Sequence, residues 1–194
     1  MGTINDNTGV QENNGGRVAK VVTISNLSVT LFVVAASLIW FFLFFYAWKI
    51  FWDTSITKEF YKQAYLYMIL FVVLSVPVHE LIHALSFRFL GNIPWAKIKF
   101  GFVVKMLAPY AHPTAPINKN AYAWSGALPG LVLGVIPLIA GLIIRSMLLS
   151  YLGMIAMAMA GGDVLTLWKL RSAPKDSYIL ENQEQDGFTI LEKS

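Results

Sequence analysis

Cysteine is absent from the 194 residues, and only 13% of the side chains carry charge. The first absence excludes disulfides and thiolate-bound metals, so any metal site must use nitrogen and oxygen donors. The second, about half the usual charged fraction, argues against a soluble globular domain. Histidine is rarer still, with three in the chain. The net charge of +4 is spread through the gaps between apolar runs. No basic face carries base-stacking aromatics, which excludes nucleic acid as a partner. Residues 1–26 are too polar for a cleavable signal peptide, and there is neither an internal repeat nor a low-complexity tract.

What is present is apolar. Hydrophobic residues make up 56% of the chain, with six Trp, eight Tyr and thirteen Phe, a load suited to membrane interfaces. Four runs, at about 27–52, 65–90, 122–144 and 146–168, reach the roughly 20 residues that cross a bilayer. The expected fold is an all-α polytopic membrane protein of about four transmembrane helices. Between the second and third lies an insert, 91–121, read as a small strand or hairpin element on the membrane surface. There Lys97 to Phe100 alternates polar with apolar, Gly101 interrupts, and Phe102 to Val104 follows. Tyr110 to Pro113, with Pro116, reads as an irregular turn region. Residues 1–26 read as a flexible polar tail, 53–64 as an amphipathic connector, and 169–194 as an exposed polar tail. Pro77 is expected to break or kink its helix near Ser75. Gly126, Gly130 and Gly134, interleaved with Pro129 and Pro137, offer a groove for close helix approach.

Four spans place both termini on one side. Eleven of the basic residues fall in the two tails and the insert, and four in the other loops. The positive-inside rule then puts both termini and the insert in the cytoplasm, with the plasma membrane the expected location.

The second span carries the chemistry. His79-Glu80-Leu81-Ile82-His83 sets two histidines four apart, which a helix brings to one face. Glu80 lies about 100° round from His79, beside whatever the imidazoles hold. This is the H-E-x-x-H pattern of zinc hydrolases: two ligands and a general base. Ionisable groups inside a span are costly and are functional hypotheses by default. Apart from Glu80, Asp163 is the only acid within the four spans. Counted back from Arg88 and Lys169, His83 and Asp163 lie at nearly one depth, about 8 Å from the boundary. Asp163 is therefore the expected third ligand. Zn²⁺ with two ionised carboxylates sums to zero charge, which lowers the desolvation cost of each. The bland alternatives are a polar packing network for the motif and a helix-end cap for Asp163. His112, beside a proline in a turn, reads as a surface residue with a ligand or substrate-side role as the alternative.

The His79–His83 motif, the insert and the later Gly162-Asp163 resemble the membrane family described as putative zincin peptidases. That family is similar in plan to the site-2 protease class of intramembrane zinc metalloproteases. The resemblance covers roughly residues 60–170. It implies that His79, His83 and Asp163 hold zinc, that Glu80 activates water, and that strands near 97–107 hold an unwound substrate by edge pairing. Lys97, Phe100, Gly101, Phe102 and His112 are the expected substrate-handling residues. The chain lacks the PDZ-like domain and the Asn-Pro-Asp-Gly-type signature of the better-known proteases.

These observations give one expectation: a membrane-embedded zinc metallopeptidase acting on a membrane protein or peptide near the cytoplasmic face. The alternative is a non-catalytic metal-binding membrane protein, such as a carrier, sensor or assembly factor. The almost wholly apolar outer halves of the spans weigh against a conduit.

Overall fold

A computed structural model describes residues 12–13, 16–52, 58–103, 108–182 and 187–192. Two long helices come first, α1 (Asn26–Trp52) and α2 (Lys58–Phe89). Both are long and apolar enough to cross a membrane. A third stretch, Lys119–Ile143, passes the same test and is built from three pieces. These are α3 (Lys119–Pro129), a π-helical segment (Gly130–Val135) and α4 (Ile136–Ile143). Then come α5 (Met147–Met159) and α6 (Gly161–Leu170), bent by 50° at Ala160, which make a fourth span if counted together. Much of the apolar surface of α1 and α2 is open, with Leu31, Phe42, Leu66 and Val73 each more than 60% exposed.

Pro77 lies inside α2, which runs on through it as one helix rather than breaking. The helix ends two turns past the motif, where Ile93 N–H reaches back to Phe87 O at 3.1 Å. Asn92, at φ 52°, supplies the left-handed residue that this cap needs. The connector expected over 53–64 is corrected in part. Lys58 onward belongs to α2, and residues 53–57 lie outside the described residues.

Prolines shape the third stretch. Pro129 and Pro137 have no N–H to donate, so the ladder widens between them, and Ile136 N–H bonds Leu131 O instead. The glycine face does pack closely. A Cβ on Gly134 would lie 3.1 Å from Met157 N, and one on Gly153 only 2.7 Å from Gly134 O.

The all-α expectation holds only for the membrane-type part, because two sheets accompany the helices. The insert forms a hairpin of β3 (Ile98–Val103) and β4 (Ala108–Pro113), pairing Ile98 with Pro113 through to Val103 with Ala108. The supposed turn at Tyr110–Pro113 is thus a strand, with its proline at the last position, where a missing donor costs least. Residues 104–107 of the substrate-holding segment lie outside the described residues.

The second sheet corrects, for their described residues, the reading of 1–26 as a flexible tail and of 169–194 as an exposed one. It joins β1 (Glu12–Asn13), β2 (Gly16–Thr23), β5 (Ile117–Asn118), β6 (Tyr178–Glu181) and β7 (Gly187–Glu192) in the order β1-β2-β7-β6-β5, all antiparallel. Apolar burial is the reason. Ile117, Ile179, Phe188, Ile190 and Leu191 are each at most 2% exposed. Of these, Ile117, Ile179, Phe188 and Ile190 pack with Ala84 and Phe87 of α2, Tyr122 of α3 and Leu170 of α6 in the larger of two core clusters. That core lies beside the motif. A second, smaller cluster of Phe44, Trp48 and Met154 ties α1 to α5.

Candidate metal centre

His79 and His83, one turn apart on α2, meet Asp163 from the first turn of α6. His79 Nε2 is 3.1 Å from Asp163 Oδ2, and His83 Nε2 is 3.4 Å from Oδ1. The two Nε2 atoms are 3.1 Å apart. Nitrogens bound to one zinc at about 2.05 Å, in tetrahedral geometry, would stand about 3.3 Å apart. One ligand atom from each of the three residues falls within a 4.8 Å group. The 50° bend before Gly161 redirects the chain just ahead of the aspartate.

The protonation of His83 can be read from its far side. Nδ1 is 2.9 Å from the Ser125 carbonyl oxygen. A carbonyl only accepts, so Nδ1 carries the hydrogen, and a neutral ring then turns its Nε2 lone pair toward His79 and Asp163. The carbonyl is available for a local reason. In an α-helix it would accept from residue 129, and residue 129 is proline. Pro129 therefore frees the acceptor that orients His83. The donor set fits a divalent metal: two imidazole nitrogens and a carboxylate, with room for a fourth ligand, as in catalytic zinc sites.

Glu80 lies beside this group and is fixed from another direction. The Ala111 N–H of β4 donates to Glu80 Oε2 at 2.9 Å. One carboxylate oxygen is thereby anchored to the hairpin, leaving Oε1 to take a proton.

These groups open into one cavity of about 190 Å³. Its other walls include residues that sequence reasoning missed or undervalued. Glu181, in the presumed tail, sits at the end of β6 and is half-buried, its side chain 15% exposed. It accepts from Tyr122 O–H at 2.7 Å on Oε1 and from His112 Nδ1–H at 2.5 Å on Oε2. Burial alone would pull the His112 pKa down, but the Glu181 hydrogen bond and charge outweigh it and hold it above the ordinary 6.5. A ring stack completes the wall. His83 lies on Phe87 at 6.0 Å and Phe87 on Tyr122 at 6.4 Å. The one hint of Glu181 in the sequence was an acid closing an apolar run, Tyr178-Ile179-Leu180.

The structure separates the expected substrate-handling residues. His112 lines the cavity. Gly101 does not, but its missing side chain lets the Tyr110 ring lie across β3, and that ring sits 4.6 Å from the His112 imidazole. Lys97 is in a short 3-10 turn, its carbonyl taken by Thr114. Phe100 and Phe102 are more than half exposed on β3, one strand out from the cavity.

Fold and site together define a class: a mostly helical chain, with three or four stretches long and apolar enough to cross a membrane, in which the two histidines of an H-E-x-x-H helix and one carboxylate could hold a metal. A family model described as "Putative zincin peptidase" matches residues 72–178, more than half of the chain. The chain belongs to that family. No curated protein matches it, and no solved structure does.

Proposed function

We propose that the protein is a zinc metallopeptidase embedded in the membrane, cleaving peptide bonds of a membrane protein or peptide near the cytoplasmic face. The observation that carries the reading is the meeting of His79 Nε2, His83 Nε2 and Asp163 beside a carboxylate pinned by one oxygen. A zinc ion there would supply Lewis acidity, making water more acidic and polarising the scissile carbonyl. Glu80 Oε1 takes a proton from the attacking water as its oxygen bonds to the carbonyl carbon. Glu80 returns that proton to the nitrogen as the C–N bond breaks. Ala111 N–H fixes the carboxylate for both transfers. The open apolar faces of α1 and α2 support embedding in lipid. The shared sheet of β2, β5, β6 and β7 supports one location for both termini and the insert. The distribution of basic residues makes that side cytoplasmic, with the plasma membrane as the location.

The test uses purified protein in detergent, measuring zinc per chain and cleavage of fluorescein-labelled casein. Wild type and Glu80→Gln should each hold about one zinc, and His79→Ala should lose it. Glu80→Gln should cut the cleavage rate by about 10²–10⁴. Wild type that takes up no zinc ends the reading. Zinc held equally with no dependence of cleavage on Glu80 would instead point to a metal carrier or sensor.

A further inference from the structure

His112 and Glu181 are the one histidine–carboxylate pair in the cavity that the hydrolytic scheme leaves unused. The pair is built rather than incidental. Glu181 comes from β6, His112 from β4 and the supporting Tyr122 from α3, so three elements converge on one carboxylate. Tyr110, seated by Gly101, lies against the imidazole from within its own strand. With Nδ1 held by Glu181 Oε2, the nitrogen left to the cavity is Nε2, and the His112 side chain remains 40% exposed. His112 also follows directly on Ala111, whose N–H anchors the base Glu80. A single strand thus carries the anchor of the base and an imidazole facing the same space.

Hydrolysis gains from such a group in addition to a metal. When water adds to the scissile carbonyl, the C=O π pair moves onto oxygen, and charge develops there that preorganised donors stabilise strongly. His79, His83 and Asp163 would be taken up in holding the metal, and Glu80 accepts protons rather than donating to an oxyanion. We propose that His112 Nε2–H, with Nδ1 fixed by Glu181, donates a hydrogen bond to the carbonyl oxygen of the scissile bond as it becomes an oxyanion. His112 is then a catalytic residue. Glu181 is a positioning residue that favours the doubly protonated ring. No proton is transferred in this contact, and the Glu80 cycle is unchanged. The inference rests on the metallopeptidase reading above.

The test uses the full chain, loaded with zinc in detergent, as wild type, His112→Phe and Glu181→Gln. The first probe is a phosphonamidate dipeptide, whose tetrahedral anionic phosphorus mimics the hydrated carbonyl. The second is the matching hydroxamate, which depends mainly on the metal. Zinc content and hydroxamate affinity should stay within about threefold in both variants, which also reports that they fold. Phosphonamidate affinity and kcat on labelled casein should fall about 10²-fold in His112→Phe, with KM nearly unchanged. Glu181→Gln should lose both in the same direction by about tenfold. Unchanged phosphonamidate affinity and kcat, with zinc retained, overturn the inference and leave the peptidase reading standing. Equal losses for both probes also overturn it, since they mark a wall that is merely structural. A wild type that holds zinc but cleaves no casein and binds neither probe removes the peptidase reading and the inference with it.

Discussion

Replacing Pro129 with alanine tests how the helix break and the metal group are linked. The substitution restores an N–H one turn below Ser125, and that N–H competes for the carbonyl now 2.9 Å from His83 Nδ1. Weakening a partner that orients a metal-bound histidine typically lowers metal affinity by about 10–100-fold, or about 1.4–2.7 kcal/mol. The metal-free fold should be spared. Alanine gains about 3 kcal/mol over proline in helix propensity, against roughly two buried methylenes at ~0.8 kcal/mol each. Zinc affinity is measured by competition with a chelator, and stability by thermal unfolding of the metal-free protein. Pro137→Ala is the control, because it makes the same change in the same stretch at a position that serves no histidine. Zinc affinity within about twofold of wild type in Pro129→Ala would refute the link. So would equal losses in both variants.

Two further outcomes follow from packing and charge. Gly153→Ala places a Cβ 2.7 Å from Gly134 O and 3.0 Å from Leu138 Cα, backbone atoms that cannot swing aside. Overpacking of this kind should lower stability by about 1–3 kcal/mol, and a thermal midpoint equal to wild type would contradict it. The Glu181–His112 contact holds the imidazole pKa above 6.5 when folded. Its stabilisation is therefore complete below that pH and fades as pH rises through the raised value. Unfolding curves from pH 5.5 to 9 should show the gap between wild type and Glu181→Gln closing as pH rises; a gap that widens would reverse the sign.

The meeting of His79, His83 and Asp163 was legible because its signals are local or nearly so. Histidines four apart mark one helix face, and a lone acid at matched depth marks Asp163 with no knowledge of packing. The hairpin was half legible. Alternation exposed β3, while the prolines around Tyr110–His112 disguised β4 as a turn. The terminal strands were hidden for a different reason. Gly16–Thr23 is short and surrounded by polar residues, and what makes it a strand is pairing with Gly187–Glu192, at the other end of the chain. Composition carries no trace of such a partner. Glu181 was lost with its strand, and His112 was undervalued because the carboxylate that holds it was taken for tail. The carbonyl of Ser125 has no signature of its own, though Pro129 four residues on was in plain view.

The order β1-β2-β7-β6-β5 also sets a timetable for synthesis. The short β1–β2 pair emerges from the ribosome ahead of every described helix and cannot join the rest of its sheet until β7 has been made, after those helices have been delivered. Contacts this distant in sequence form late and slowly. A nascent chain complete through α6 already holds His79, His83 and Asp163, so it could take up metal while the cavity still lacks Glu181. Closing the sheet brings in that last wall, so the same step that joins the terminal strands to the rest of the sheet also completes the lining of the cavity.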